Sequence, residues 1–196
     1  MPDLKRLKPC LDLGHGGKDS GAVGNNLIEK DINLEIGFRA AHLFNTCGHD
    51  SIMTRDTDTF IELSQRPKIA IDKGCDLFIS IHCNSNTNAN PRGLRIYTHG
   101  LDAKYKEASE KLAVNILEEI KKLTLWTTDY ALRKDTEIYG SGFAVLRRSV
   151  QNMPAVLMEC GFVSNLKDAA LLQDPLNLEN TALAIMVGAI ASQLAN

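Results

Sequence analysis

The sequence predicts an α/β layer fold in a single domain. Short apolar runs alternate along the chain with longer stretches of helical periodicity, the pattern of strands packed beneath helices. One run, Leu77-Phe78-Ile79-Ser80-Ile81, is almost continuously apolar, as befits a strand covered on both faces. The 196 residues suffice for one sizeable core and are few for two, so residues 1–196 form one expected domain. No repeat, low-complexity tract or Pro/Gly/Ser-rich linker divides them.

Residues 9–13 read as the first strand, and Gly14-His15-Gly16-Gly17 as the turn that leaves it. Residues 32–47 carry a helical apolar stripe through Leu34, Phe38, Ala41 and Phe44, closed by Gly48. Residues 49–54 read as the second strand, and residues 61–73 as a helix whose early part is weakened by Pro67. The apolar run becomes a strand over 76–82, and a polar loop over 84–90 leads to another over 93–98. A long amphipathic helix spans 103–123, and residues 127–142 are polar and irregular, suited to lining a groove. Residues 143–146 and 155–159 read as the last strands, and 176–194 as the closing helix.

Composition narrows the function. A formal net charge of -2 with no Lys/Arg run gives no electrostatic case for nucleic acid or a membrane surface. No apolar stretch approaches the roughly 18 residues of a spanning helix. The first residues show no apolar signal core, so synthesis in the cytoplasm without a visible signal peptide is expected. Cys10, Cys47, Cys75, Cys83 and Cys160 are odd in number, lack CxxC spacing and sit mostly in apolar runs. Buried free thiols suit them better than a disulfide framework.

Two histidines and two carboxylates stand at element boundaries. His15 follows the first strand, His82 ends the strand over 76–82, and Glu29 opens a helix close to His15 in sequence. Two imidazoles and a carboxylate form a catalytic zinc set, with the fourth position open to water. The C-terminal edge of an open α/β sheet, where both histidines fall, hosts the functional crevice. Glu159 ends an apolar strand, where a carboxylate is costly unless paired or functional, and it is the candidate proton carrier. Taken singly, each residue has a structural reading: a hydrogen-bonded histidine, a glycine turn, a carboxylate complementing a helix N-terminus. His42, His49 and His99 lack a comparable setting and read as structural or surface groups. Cys83 and Cys160 adjoin site residues along strands and so face away from them. No P-loop, GxGxxG, HExxH or GxSxG pattern occurs.

Six segments in order carry a resemblance: DLGHGGKDSGA from Asp12, EKDINL from Glu29, Thr54-Arg55, FISIHCN from Phe78, PAVLMECGFVSN from Pro154, and an Ala/Gly-containing final helix. Together they resemble the zinc-dependent N-acetylmuramoyl-L-alanine amidases of the amidase-3 type, from about Leu11 to Ile190. The resemblance implies a mostly parallel six-stranded sheet flanked by helices on both faces. It implies zinc held by His15, Glu29 and His82, with Glu159 as the catalytic carboxylate. The partner it implies is peptidoglycan, cut between N-acetylmuramic acid and the L-alanine of the stem peptide. Two departures stand out: Leu13 where relatives commonly have Pro, and Arg95 at a position often acidic. The segment before Pro154 is too short for the plugging helix of some relatives, so an open groove is expected, with no separate wall-binding domain.

Two rival readings make different demands. A cysteine hydrolase would use Cys160 or Cys83 with a histidine. A non-catalytic wall-binding domain would keep the fold and metal but has no use for Glu159. A monomer acting on the cell wall after release is expected, whether as a phage or prophage endolysin, a lytic enzyme freed from a mother cell, or a mature fragment of an exported protein.

Overall fold

A computed structural model describes residues 6–126 and 130–194. The first strand, β1 (Pro9–Leu13), leads through a small hairpin, β2 (Val23–Gly24) and β3 (Leu27–Ile28), into helix α1 (Glu29–Thr46). A short β4 (Ile52–Met53) and helix α2 (Gln65–Asp72) precede β5 (Leu77–Asn84) and β6 (Leu94–Thr98). Helix α3 (Lys106–Leu123) is followed by β7 (Tyr130–Lys134), a 3-10 turn at Asp135–Glu137 and α4 (Ala144–Ser149). Strand β8 (Ala155–Phe162) and helices α5 (Leu166–Gln173) and α6 (Pro175–Ser192) complete the chain.

The six-stranded sheet runs in the order β4-β1-β5-β8-β6-β7. Its pairings are parallel except where β6 meets β8. Alternation along β5 and β8 divides the core. Leu77, Ile79, Ile81, Val156 and Met158 pack with α1, α3 and α6. Phe78, Ala155 and Leu157 face the opposite side with Ala70 of α2 and Val145 and Leu146 of α4. His82 and Glu159 follow the second set by the two-residue period, which points them toward the α2–α4 side at the carboxyl edge. Phe44 and Phe78 are fully buried, one in each layer, and truncation of either to Ala costs about 3–5 kcal/mol.

Most expected elements are present with shifted ends, and the strand over 49–54 shrinks to Ile52–Met53. Two expectations fail. Residues 143–146 do not form a strand: they open α4, whose Val145 and Leu146 are buried and whose Arg147 and Arg148 complement its C-terminal dipole. Four apolar residues cannot by themselves distinguish a buried turn of helix from a strand. The segment expected to be irregular carries the edge strand β7, although Thr127, Thr128 and Asp129 lie outside the described residues. Its half-exposed side and its Arg133 and Lys134 hide the strand pattern while guarding the sheet edge. Helix α5 was not anticipated, yet its Asn165 side chain accepts from the N–H groups of Lys167 and Asp168, as an N-cap should. Among the described residues no helix is long and apolar enough to cross a membrane.

Candidate metal centre and active site

Three adjacent parallel strands deliver the chemistry. β1 ends at the Gly14–Gly17 turn carrying His15, β5 carries His82, and β8 carries Glu159 directly across the ladder from His82. Glu29 comes from elsewhere: the β2–β3 hairpin folds the chain back, so that the first residue of α1 reaches the same edge. Its backbone N–H donates to the Ala22 carbonyl at 2.9 Å, and the Ala22 N–H returns a bond to Glu29 Oε2 at 2.8 Å. This exchange leaves Oε1 aimed at the histidines.

Glu29 Oε1 lies 3.1 Å from His15 Nε2 and 3.0 Å from His82 Nδ1, and accepts the Cys83 N–H at 3.0 Å. The two imidazoles meet edge to face, ring centroids 5.0 Å apart. One ligand atom from each of the three residues lies within 4.8 Å of the others. Tetrahedral zinc with bonds of about 2.0–2.2 Å spaces its ligand atoms at about 3.3–3.6 Å, so this donor set fits such an ion with small adjustments. The glycines are steric requirements here. A Cβ on Gly14 would stand 2.2 Å from the His82 ring, and one on Gly21 would stand 2.6 Å from both Glu29 Oε2 and the His15 ring. His15 itself adopts φ 62°, a left-handed conformation that a non-glycine residue holds only when its surroundings enforce it.

The charges of the cluster are strongly interdependent. Burial works against the Glu29 carboxylate, but hydrogen bonds from His15 and His82 hold it far below the ordinary range. Burial likewise opposes charge on His15, yet Glu29 and Asp19 raise its pKa from 6.5 to about 9. Asp19 Oδ2 is 2.9 Å from His15 Nδ1 without the alignment of a hydrogen bond, so charge proximity is the dependable part of that contact. Burial lifts Glu159 from 4.5 to about 7, and its Oε2 is shielded from solvent with no hydrogen-bond partner. An orphaned carboxylate oxygen beside two imidazoles and a second carboxylate is what a bound ion and its water would satisfy.

Two arginines, Arg55 of the Thr54-Arg55 segment and Arg66, which no motif marked, fix the turn that carries His15. Arg66 Nη1 donates to Asp12 Oδ1 at 2.9 Å and to the Leu13 carbonyl at 2.7 Å, while its Nη2 donates to the His15 carbonyl at 2.9 Å. Arg55 donates to the carbonyls of Leu13, Gly14 and Lys30 at 2.9, 3.1 and 2.7 Å. Asp12 is fully buried and is also held by Thr54 and Ser80 at 2.9 and 2.6 Å. A carboxylate buried this deeply requires a cationic partner, and that requirement was the available signal for Arg66.

Of the remaining histidines, His42 is exposed while His49 and His99 are buried in structural contacts, as expected of surface or structural groups. His49 Nδ1 accepts the Leu7 N–H at 3.1 Å. His99 pairs with buried Asp135 at 2.9 Å, and Asp135 also accepts the N–H groups of Gly100 and Phe143 at 2.9 and 2.8 Å. Arg95 stands in register opposite Glu159, its guanidinium donating to the carbonyls of Leu94 and Arg92. Cys83 and Cys160 pack into the layer opposite Glu159, and burial pushes both thiols up.

Two hollows flank the centre. One of about 310 Å³ is bordered by His15, Asp19, Phe60, Glu62 and Arg66. The other, about 270 Å³, is bordered by Glu159, Tyr139, Phe143 and Leu157. His82 and the exposed Leu63 border both. A 330 Å³ hollow between β7 and α3 holds none of the converging groups.

Residues 10–191 match the family model Amidase_3, described as N-acetylmuramoyl-L-alanine amidase. The chain is 34% identical over 181 residues to the N-acetylmuramoyl-L-alanine amidase LytC of Bacillus subtilis, covering 92% of this chain but only 34% of that protein. It is 35% identical over 192 residues to the germination-specific N-acetylmuramoyl-L-alanine amidase of the same organism, covering 91% of this chain and 76% of the relative. Among solved structures it is similar to the amidase AmiC2 of Nostoc punctiforme, with a TM-score of 0.82 and 33% identity over 94% of this chain and 96% of that one. The six-stranded, mostly parallel sheet is thus a shared fold as well as a shared sequence. The chain belongs to the Amidase_3 family of N-acetylmuramoyl-L-alanine amidases.

Proposed function

We propose that this domain is a zinc-dependent peptidoglycan amidase acting outside the cytoplasm. It hydrolyses the amide between the lactyl group of N-acetylmuramic acid and the L-alanine of the stem peptide. The observation that carries this reading is the convergence of His15 Nε2 and His82 Nδ1 on Glu29 Oε1, at 3.1 and 3.0 Å, beside the unpartnered Glu159 Oε2. Two imidazoles and one carboxylate form a donor set that catalytic zinc accepts, with its fourth position open. When bound, it supplies Lewis acidity, polarising a carbonyl and making water a stronger acid.

The chain's own residues do the rest. Glu159, with its proton affinity set near neutrality by burial, takes a proton from the attacking water and delivers it to the departing alanine nitrogen. Glu29 is the single anionic ligand, so a divalent ion there retains net positive charge toward the developing oxyanion. The Arg55–Arg66 clamp holds the His15 turn during turnover. All four site residues come from one chain, so the centre needs no side chain from a second copy.

A cysteine mechanism has little support, because Cys83 and Cys160 are buried away from His15 and His82 with thiols held neutral. A purely wall-binding domain would gain nothing from the unpartnered oxygen of Glu159, which is unfavourable for folding. Release of stem peptides from purified sacculi, followed by mass spectrometry with and without chelator, tests the reading. Chelator-sensitive appearance of peptides with a free L-alanine amine is the expected result. Unchanged release under thorough chelation would contradict zinc dependence.

A further inference from the structure

We infer that the 270 Å³ hollow beside Glu159 receives the stem peptide, and that the sugar-bearing acyl half lies in the 310 Å³ hollow across Leu63. The inference deepens the amidase reading and rests on Glu159 as the proton carrier. In hydrolysis the water oxygen bonds to the carbonyl carbon, the carbon–nitrogen bond breaks, and the nitrogen leaves with the proton that water gave up. The group delivering that proton must stand on the nitrogen side of the scissile bond. Glu159 borders only the smaller hollow, whereas His15 and Asp19 border only the larger, and His82 is common to both. The reacting carbon therefore sits near His82, with the amine directed toward Glu159.

The two walls have matching chemistry. Beside Glu159, Tyr139 and Phe143 stack edge to face at 5.8 Å, backed by buried Tyr97 at 5.3 Å from Phe143. Leu157 and Val145 complete an apolar surface suited to an alanine methyl and the peptide beyond it. Tyr139 is 61% exposed, so its ring is available to such a ligand. This wall is preformed, because Asp135 fixes the Phe143 N–H at 2.8 Å. The other hollow is mixed: the carboxylates of Asp19 and Glu62 line it beside Ile61 and Leu63, and Phe60 lies under the Lys18 ammonium at 4.4 Å. Carboxylates and a ring face are what sugar hydroxyls and an acetamido group bind.

The test compares kcat/KM of the zinc-loaded protein for three soluble substrates: N-acetylmuramic acid bearing L-alanine alone, the same sugar bearing a tripeptide stem, and a disaccharide bearing L-alanine. In Tyr139→Ala the tripeptide-to-alanine ratio falls about tenfold while the disaccharide-to-monosaccharide ratio holds within about twofold. In Phe60→Ala the disaccharide ratio falls and the stem ratio holds. The opposite pattern, or ratios that move in neither variant, would overturn the assignment while leaving the amidase reading standing. A wild-type protein inactive on all three substrates and on sacculi would overturn both. Tyr139 is a surface residue, so its truncation leaves the fold intact, as a thermal melt verifies.

Discussion

Arg66 ties a buried carboxylate to the backbone of a metal-ligand candidate: one nitrogen donates to Asp12 and the other to the His15 carbonyl, each at 2.9 Å. His15 holds its left-handed backbone because this clamp and Arg55 occupy the carbonyls around it. Lysine cannot reproduce two forked donations. Arg66→Lys should therefore weaken zinc affinity about 10–100-fold, the range seen when outer partners of metal ligands are changed. Competition with a chromogenic chelator measures this, and unchanged affinity would remove Arg66 from the positioning of His15.

Glu159→Gln should make the ion-free protein more stable at alkaline pH. The folded state holds the Glu159 proton up to about 7, against 4.5 as the ordinary value. Between those pH values the folded protein binds more proton than the unfolded chain, so stability falls as pH rises, and the penalty is complete above about 7. Glutamine removes it. Urea unfolding should show a gain of about 1–2 kcal/mol at pH 8 and none at pH 4, since the side chain is only partly enclosed. Equal gains at both pH values would point to packing and away from burial of charge.

Under the proposed mechanism the same carboxylate sets the acid limb of activity. Glu159 must be ionised to accept the water proton, so kcat/KM should rise with pH through its pKa. In the ion-free protein that value is about 7, and a divalent ion nearby favours the carboxylate and moves the limb lower. A pH–rate profile of the zinc-loaded enzyme should thus bend below about 7. A profile flat throughout the acid range would deny Glu159 the role.

Asp135 anchors the aromatic wall. It is fully buried and serves the Gly100 and Phe143 N–H groups together with His99. Asp135→Ala leaves those donors unmet and should cost about 3 kcal/mol, with Asp135→Asn intermediate because one acceptor oxygen remains. Chemical denaturation gives the ranking. A loss for Asp135→Ala under about 0.5 kcal/mol would mean that water replaces the clasp.

The site was legible wherever local chemistry marks a residue. His15 sits among glycines that only close packing explains, and Glu159 lies in a strand too apolar for an idle carboxylate. Spacing alone said nothing of whether Glu29 would return to His15, because that depends on the two-residue strands of the β2–β3 hairpin. Arg66 and Asp135 were silent for a related reason: their partners lie 54 and 36 residues away. The strand layers were legible in β5 and β8, whose buried runs match their alternating layers. At the sheet edge β7 is half exposed and carries the charges of a loop, and α4 is too short to display a period.

Metal content of purified variants tests the three-residue centre most directly. After loading with zinc and desalting, wild type and Glu159→Gln should each retain one equivalent by elemental analysis, with turnover lost only in the second. His15→Ala and His82→Ala should retain none. A full equivalent held by His82→Ala, or none held by the folded wild type, would contradict the centre formed by His15, Glu29 and His82.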